Sequence, residues 1–224
     1  MTHVQILVLA KTPVPGRVKT RLCPPWTLEQ AAGIAAAALD DTLATVTVTP
    51  DAVRTLVVDG DLAAPPGWRR ITQRGATLAH RLAHAYADSR IAGLPSLLIG
   101  MDTPHVTAAQ LTAAASALTI SDAVIGLAED GGWWALGLRD GDHAGVLEAI
   151  PTSTAQTGAR TLDALRRRGL TVGMLPVMRD VDTAADARSV AASCLPGSLF
   201  TRAVTDAVPD EGPSAPANAQ PATS

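Results

Sequence analysis

The chain has 224 residues, with 18 Lys and Arg against 21 Asp and Glu, and its formal charge of −3 excludes a nucleic-acid binder that works through bulk positive charge. Hydrophobic residues make up 47% but aromatics only 3%, so Ala, Leu and Val must fill the core, which favours helices on a sheet over an aromatic-rich sandwich. Two cysteines, Cys23 and Cys194, are too few and too scattered for a zinc site or a disulfide framework, and they fit a reducing, cytoplasmic setting.

Residues 4–10 are a short apolar run rich in Val, Ile and Leu, the pattern of a buried strand. The run is too short for a signal sequence, Lys11 follows it at once, and no apolar run is expected to reach the ~20 residues of a membrane span. A Pro/Gly loop covers 12–25. Residues 28–45 carry Ala, Leu and Ile at helical spacing, with Thr27 and Gln30 as a capping box. A second strand is expected over 54–58, an amphipathic helix over 78–90, a third strand over 95–99 and an Ala-rich helix over 107–118. Two strands, 123–127 and 133–138, flank an Asp-Gly-Gly turn and suggest one antiparallel excursion. Helices over 142–149 and 159–168, a strand over 171–177 and a last helix over 184–192 complete the pattern. Strands alternating with helices imply an α/β fold with a mostly parallel central sheet and helices on both faces. The expected organisation is one domain over 1–205, then a disordered Pro/Ala-rich tail over 206–224.

The most informative loop runs from Lys11 to Arg21, after a strand and before a helix, where open α/β sheets place ligands. Lys11 and Lys19 are the only lysines in the protein, and Arg17 and Arg21 stand beside them. Gly16 permits close backbone approach. Ammonium groups suit phosphate oxygens as point charges, and guanidinium groups bind them bidentately. Val18 occupies the place of the second glycine of a P-loop, and no Gly-x-Gly-x-x-Gly occurs, so neither of those phosphate motifs applies.

Asp102, just past the third strand, faces the same sheet edge and is a candidate Mg²⁺ (or Mn²⁺) ligand. The alternative is a cap for the following helix, which Thr107 and Gln110 already supply. Asp182 is a second candidate ligand, or else it or Thr183 caps the next helix; an extended backbone would aim Asp180 the same way. In Asp130-Gly131-Gly132-Trp133-Trp134 the adjacent tryptophans should face opposite ways, one into the core and one into a pocket.

The runs AKTPVPGRVKTRL, LLIGMDTP, EDGGWWALGL and DVDTAAD, in that order, resemble the bacterial DUF2064 family of the nucleotide-diphospho-sugar transferase superfamily over residues 4–195. The resemblance implies a Rossmann-like GT-A fold, a nucleotide in the amino-terminal half, a divalent metal at Asp102, and an Asp130 loop (Gly131, Gly132, Trp133) facing the transferred group or acceptor. It adds Gly75 and Arg81 to the phosphate-binding set of Lys11, Gly16, Arg17, Lys19 and Arg21, although Thr77 and His80 stand where relatives carry acids. Lys19 and Asp130 are the expected catalytic groups, Asp130 by position only.

Three functions stay open. The first is a glycosyltransferase using a nucleotide sugar and a small-molecule acceptor with Mg²⁺. The second is a nucleotidyltransferase joining NMP from an NTP to a phosphorylated small molecule. The third is a non-catalytic nucleotide-binding protein. Neither a nucleic-acid partner nor a membrane span is expected.

Overall fold

A computed structural model of the chain describes residues 3–207. The chain begins with β1 (Val4–Lys11), and a Pro/Gly loop then leads through a 3-10 turn, Thr20–Leu22, into α1 (Leu28–Val48). Next come β2 (Ala52–Asp59), β3 (Arg69–Thr72), α2 (Leu78–Ser89), β4 (Ser96–Ile99) and α3 (Ala108–Ala117). The hairpin strands β5 (Ala123–Ala128) and β6 (Trp133–Leu138) follow, then a 3-10 segment, Gly141–Ala149, and α4 (Thr157–Arg167). β7 (Val172–Met178), α5 (Ala184–Ala191) and α6 (Leu199–Asp206) complete the described part.

Among the described residues, seven strands form one sheet in the order β3-β2-β1-β4-β6-β5-β7. Only β6 runs antiparallel, against both β4 and β5; every other pairing is parallel. This is the mostly parallel α/β sheet with one antiparallel excursion that the sequence implies.

Strand alternation sorts the core onto two faces. Ile6 and Val8 of β1 join Leu56, Leu97 and Ile99 in a cluster covered by α1 and α3. Leu7, Val57 and Leu98 point the other way and pack with Leu82 and Tyr86 of α2, Leu147 and Leu165. A third cluster lies on the outer side of α1, where Trp26, Ile34 and Ala38 meet Val190 of α5 and Phe200 and Val204 of α6. That outer layer explains α1's composition. At 21 residues and mean hydropathy 1.3 it is long and apolar enough to cross a membrane, contrary to expectation, but it is packed on two sides inside the fold.

Other expectations change in detail. Residues 141–149 are a 3-10 segment rather than an α-helix. The edge strand β3 escapes the sequence because Arg69-Arg70-Ile71-Thr72 has no buried residue and so no apolar run. α6 follows the helix expected to be last and reaches Asp206, one residue into the expected tail; residues 208–224 of that tail lie outside the described part.

Candidate active site

All the singled-out loops leave the carboxyl edge of the parallel strands or join it from the β5–β6 turn. β1 connects onward to β2 on one side while β4 flanks it on the other, so a crevice opens between β1 and β4 where the strand order reverses. A cavity of about 730 Å³ occupies this edge. Its lining includes Lys11, Arg17, Lys19, Arg21, Asp59, Arg81, Asp102, Asp130, Gly132, Trp133, Asp180 and Asp182.

The loop after β1 gets its shape from local chemistry. Arg17 N–H donates to Val14 O at 3.0 Å across Pro15-Gly16, and Gly16 has φ 75, the Pro-Gly pattern of a type II turn. Gly16 therefore shapes the loop and is not part of the cavity wall. Lys19 takes a left-handed backbone, φ 47 and ψ 35, unusual for a side chain this long, and it begins the Thr20–Leu22 turn.

Lys19 Nζ lies 3.0 Å from Asp102 Oδ1 and 3.3 Å from Asp182 Oδ1, and also donates to Val181 O. Val181 N–H in turn donates to Asp102 O at 3.0 Å. The loops after β1, β4 and β7 are thus stitched at one point. Burial alone would lower the Lys19 pKa, but the charges of Asp102 and Asp182, with their hydrogen bonds, outweigh it and raise it. Arg21 reaches the other oxygen of Asp182 at 3.4 Å from a mostly exposed position.

Neither Asp102 nor Asp182 is a helix cap. Thr107 and Gln110 form a complete capping box on α3, and Thr183 and Asp186 form another on α5. The carboxylates that converge are Asp130, Asp180 and Asp182, each offering an oxygen within 4.8 Å of the others. Asp102 is held by Lys19 and is not in that group. Burial first, then the charge of Asp130, and further those of Asp182 and Asp102, push the Asp180 pKa up to about 6. This excess of negative charge fits a divalent cation, and the all-oxygen donor set suits Mg²⁺ or Mn²⁺. In the sequence, Asp180 stood out only through its alternation with Asp182.

The remaining residues divide into lining and scaffold. Arg81 forms an ion pair with Asp59 at 2.7 Å and donates to Gly75 O at 3.2 Å, so its cation is already half matched. Asp59 was not anticipated; the signal was an apolar strand ending on an acid, directly across from Lys11. Gly75 is scaffold. It has φ 123, and a Cβ there would lie 2.8 Å from His80 Cβ. Thr77 and His80, at the acidic positions of the resemblance, serve the α2 terminus: the Thr77 hydroxyl accepts from His80 N–H.

The two tryptophans separate as alternation requires. Trp134 is 3% exposed and donates to Pro176 O, whereas Trp133 is half-buried on the cavity wall. Gly131 does not line the cavity. Its φ is 88, and a Cβ there would lie 2.1 Å from Ala155 O. Asp130 Oδ1 accepts from Gly132 N–H at 2.7 Å, which closes the turn.

A family model described as an uncharacterized protein conserved in bacteria (DUF2064) matches residues 31–154. The chain belongs to the DUF2064 family. The matched region contains Asp59, Arg81, Asp102, Asp130 and Trp133, while the loop bearing Lys11 and Lys19 and the acids Asp180 and Asp182 lie outside it.

Among solved structures, the chain is similar to a protein of Desulfovibrio desulfuricans G20 provisionally described as a nucleotide-diphospho-sugar transferase. Identity is 27%, coverage is 92% of this chain and 95% of that one, and the TM-score is 0.82. It also shares its fold with a cytidylyltransferase from Leptospira borgpetersenii, at 11% identity, 92% and 94% coverage and a TM-score of 0.55. The fold recurs in the manganese complex of Rv0371C from Mycobacterium tuberculosis H37Rv, at 21% identity, 84% and 97% coverage and a TM-score of 0.51. No curated protein matches the chain.

Proposed function

We propose that this DUF2064 protein is a divalent-metal-dependent glycosyltransferase that uses a nucleotide-diphosphate-sugar donor. One observation carries the reading: the cations of the β1 loop and the acids after β4, the β5–β6 turn and β7 share one cavity, with Lys19 touching Asp102 and Asp182. Such opposed charge suits a polyphosphate together with its ion. The description of the Desulfovibrio protein as a nucleotide-diphospho-sugar transferase and the manganese bound by Rv0371C support the donor and the metal by similarity.

Asp180 and Asp182 would hold the metal, which would neutralise charge on the departing diphosphate. Lys11, Arg17 and Arg21 bind phosphate oxygens, and Lys19 spans the phosphates and the acids. Asp130, the exposed acid of the three, borders the acceptor side. In the transfer, the acceptor hydroxyl oxygen bonds to the anomeric carbon as that carbon's bond to the diphosphate oxygen breaks. The nucleoside diphosphate leaves, and the hydroxyl proton passes to Asp130.

A nucleotidyltransferase is the second reading, favoured by a four-cation loop that also suits pyrophosphate and by the cytidylyltransferase that shares the fold. A thermal-shift and calorimetric screen of nucleotides and nucleotide sugars, with and without Mn²⁺, tests the proposal. A metal-dependent shift with a nucleotide sugar is expected. Mg²⁺-dependent pyrophosphate release from an NTP and a phospho-acceptor would favour the second reading instead.

A further inference from the structure

The cavity has a second side with different chemistry. There the β5–β6 turn and the loop before α4 are locked together through backbone: Gly158 N–H donates to Gly131 O at 2.8 Å. A Cβ on Gly158 would lie 2.4 Å from Gly132 O, so the two loops act as one wall. Gly132, Trp133, Thr152, Ser153 and Thr154 bring this wall into the cavity.

Thr154 uses its hydroxyl locally, with Thr157 and Gln156 N–H. The hydroxyls of Thr152 and Ser153 and the indole N–H of Trp133 have no hydrogen-bond partner among the described residues. Charge is partitioned as well. Every cation lining the cavity (Lys11, Arg17, Lys19, Arg21, Arg81) comes from β1, the loop after it, or α2. The wall has none, and the charged groups that border it are Asp130 and, beside Asp130, Asp180.

We propose that this wall is the acceptor subsite and that it takes an uncharged polyhydroxylated molecule, a sugar or polyol, in preference to its phosphorylated form. This rests on the reading above that a nucleotide occupies the cationic side. Free hydroxyls both donate to and accept from ligand hydroxyls, and an indole face covers the apolar face of a sugar ring. A phosphate placed against the wall would meet Asp130, and the wall itself supplies no cation to offset that charge, which selects against it. The cavity is large enough for a nucleotide and a second small molecule together.

The test titrates the full chain, in Mg²⁺ and with excess inorganic pyrophosphate to fill the cationic side, with glucose, mannose and glycerol, each paired with its own phosphate, by saturation-transfer NMR and tryptophan fluorescence. At least one neutral compound should bind, with its phosphate about tenfold weaker or more. Trp133→Phe should remove the fluorescence response. Thr152→Val with Ser153→Gly, which removes both hydroxyls and keeps the left-handed backbone of Ser153 accessible, should weaken binding about tenfold. Thr152→Lys should bring the phosphates in. The inference is overturned if no neutral compound binds, if a phosphate binds more tightly than its parent, or if the double variant keeps full affinity. Nucleoside diphosphates titrated in parallel separate the two claims. Neutral sugars binding where no nucleoside diphosphate binds would sink the transferase reading and leave the wall's preference for neutral ligands standing without its acceptor role, whereas nucleotide binding with a preference for sugar phosphates would overturn this inference alone.

Discussion

Lys19 Nζ sits 3.0 Å from Asp102 Oδ1, and the same ammonium reaches Asp182 at 3.3 Å. The Lys19 side chain is 12% exposed while the two carboxylates are 40% and 35% exposed, so the cation is buried among acids that solvent still reaches. Lys19 therefore occupies part of the field that a divalent ion would enter, and under the proposed function it would exchange carboxylate oxygens for phosphate oxygens when metal and nucleotide bind.

Opposite effects on two ligands follow for Lys19→Met. Without nucleotide, Mn²⁺ should bind several-fold more tightly, because a competing cation is gone; nucleotide diphosphate should bind about tenfold more weakly. The fold should lose about 1–2 kcal/mol, less than for a fully buried pair, since both acids keep solvent contact. Calorimetric titration of Mn²⁺ with and without nucleotide measures both. Weaker Mn²⁺ binding in the absence of nucleotide would contradict this account.

Asp180 ties stability to pH. Its pKa is pushed up to about 6 by burial and by Asp130, above the unfolded value of about 4, so the folded protein binds the extra proton. Stability from this group is therefore present at low pH and is lost as pH rises through about 6. Asp180→Asn should raise stability at pH 7.5 by about 1–2 kcal/mol after allowance for solvent screening, and the gain should vanish near pH 4–5. Mg²⁺ should raise the melting temperature of the wild type and leave the variant unchanged. Denaturant curves across this pH range, with and without Mg²⁺, check both signs.

Gly131→Ala tests the wall. The new methyl would lie 2.1 Å from Ala155 O on a backbone with φ 88, so both close contact and strain oppose it. A loss of about 2 kcal/mol or more is expected, with a change in Trp133 fluorescence as the two loops part. Unchanged stability and fluorescence would show that the turn and the α4 loop do not depend on each other.

Thr183→Ala separates capping from ligation. It removes the cap of α5 and should cost about 1 kcal/mol in thermal or denaturant unfolding. Mn²⁺ affinity should stay at the wild-type value, because Asp182 takes no part in the cap. A loss of metal affinity comparable to that of Asp182→Asn would mean that the α5 terminus positions the acid.

Local rules made much of this molecule legible. Val4–Lys11 reads as a strand because it is uniformly apolar, and Thr27 and Thr107 start helices because each hydroxyl finds a backbone N–H in the first turn. Trp133 and Trp134 part company through the twofold period of a strand. β3 and α6 were hidden for the opposite reason. Arg69–Thr72 pairs through backbone alone at a sheet edge, and Phe200 and Val204 of α6 become apolar anchors only because the outer side of α1 is there to receive them. The 3-10 form of Gly141–Ala149 is not written in its composition either, since Ala, Leu and Glu suit both helix types.

Sequence by itself determined the alternation of strands and helices, the concentration of both lysines in the first loop, and the presence of acids after later strands, because each depends on residue type and near neighbours. Only the tertiary structure decided which acids meet which cations. The strand order places the loops after β1, β4 and β7 against one another, so Lys19 finds Asp102 and Asp182 while Asp180 joins Asp130. Electrostatic energy depends on distance through space, and that distance is set by how the sheet is wound rather than by position along the chain.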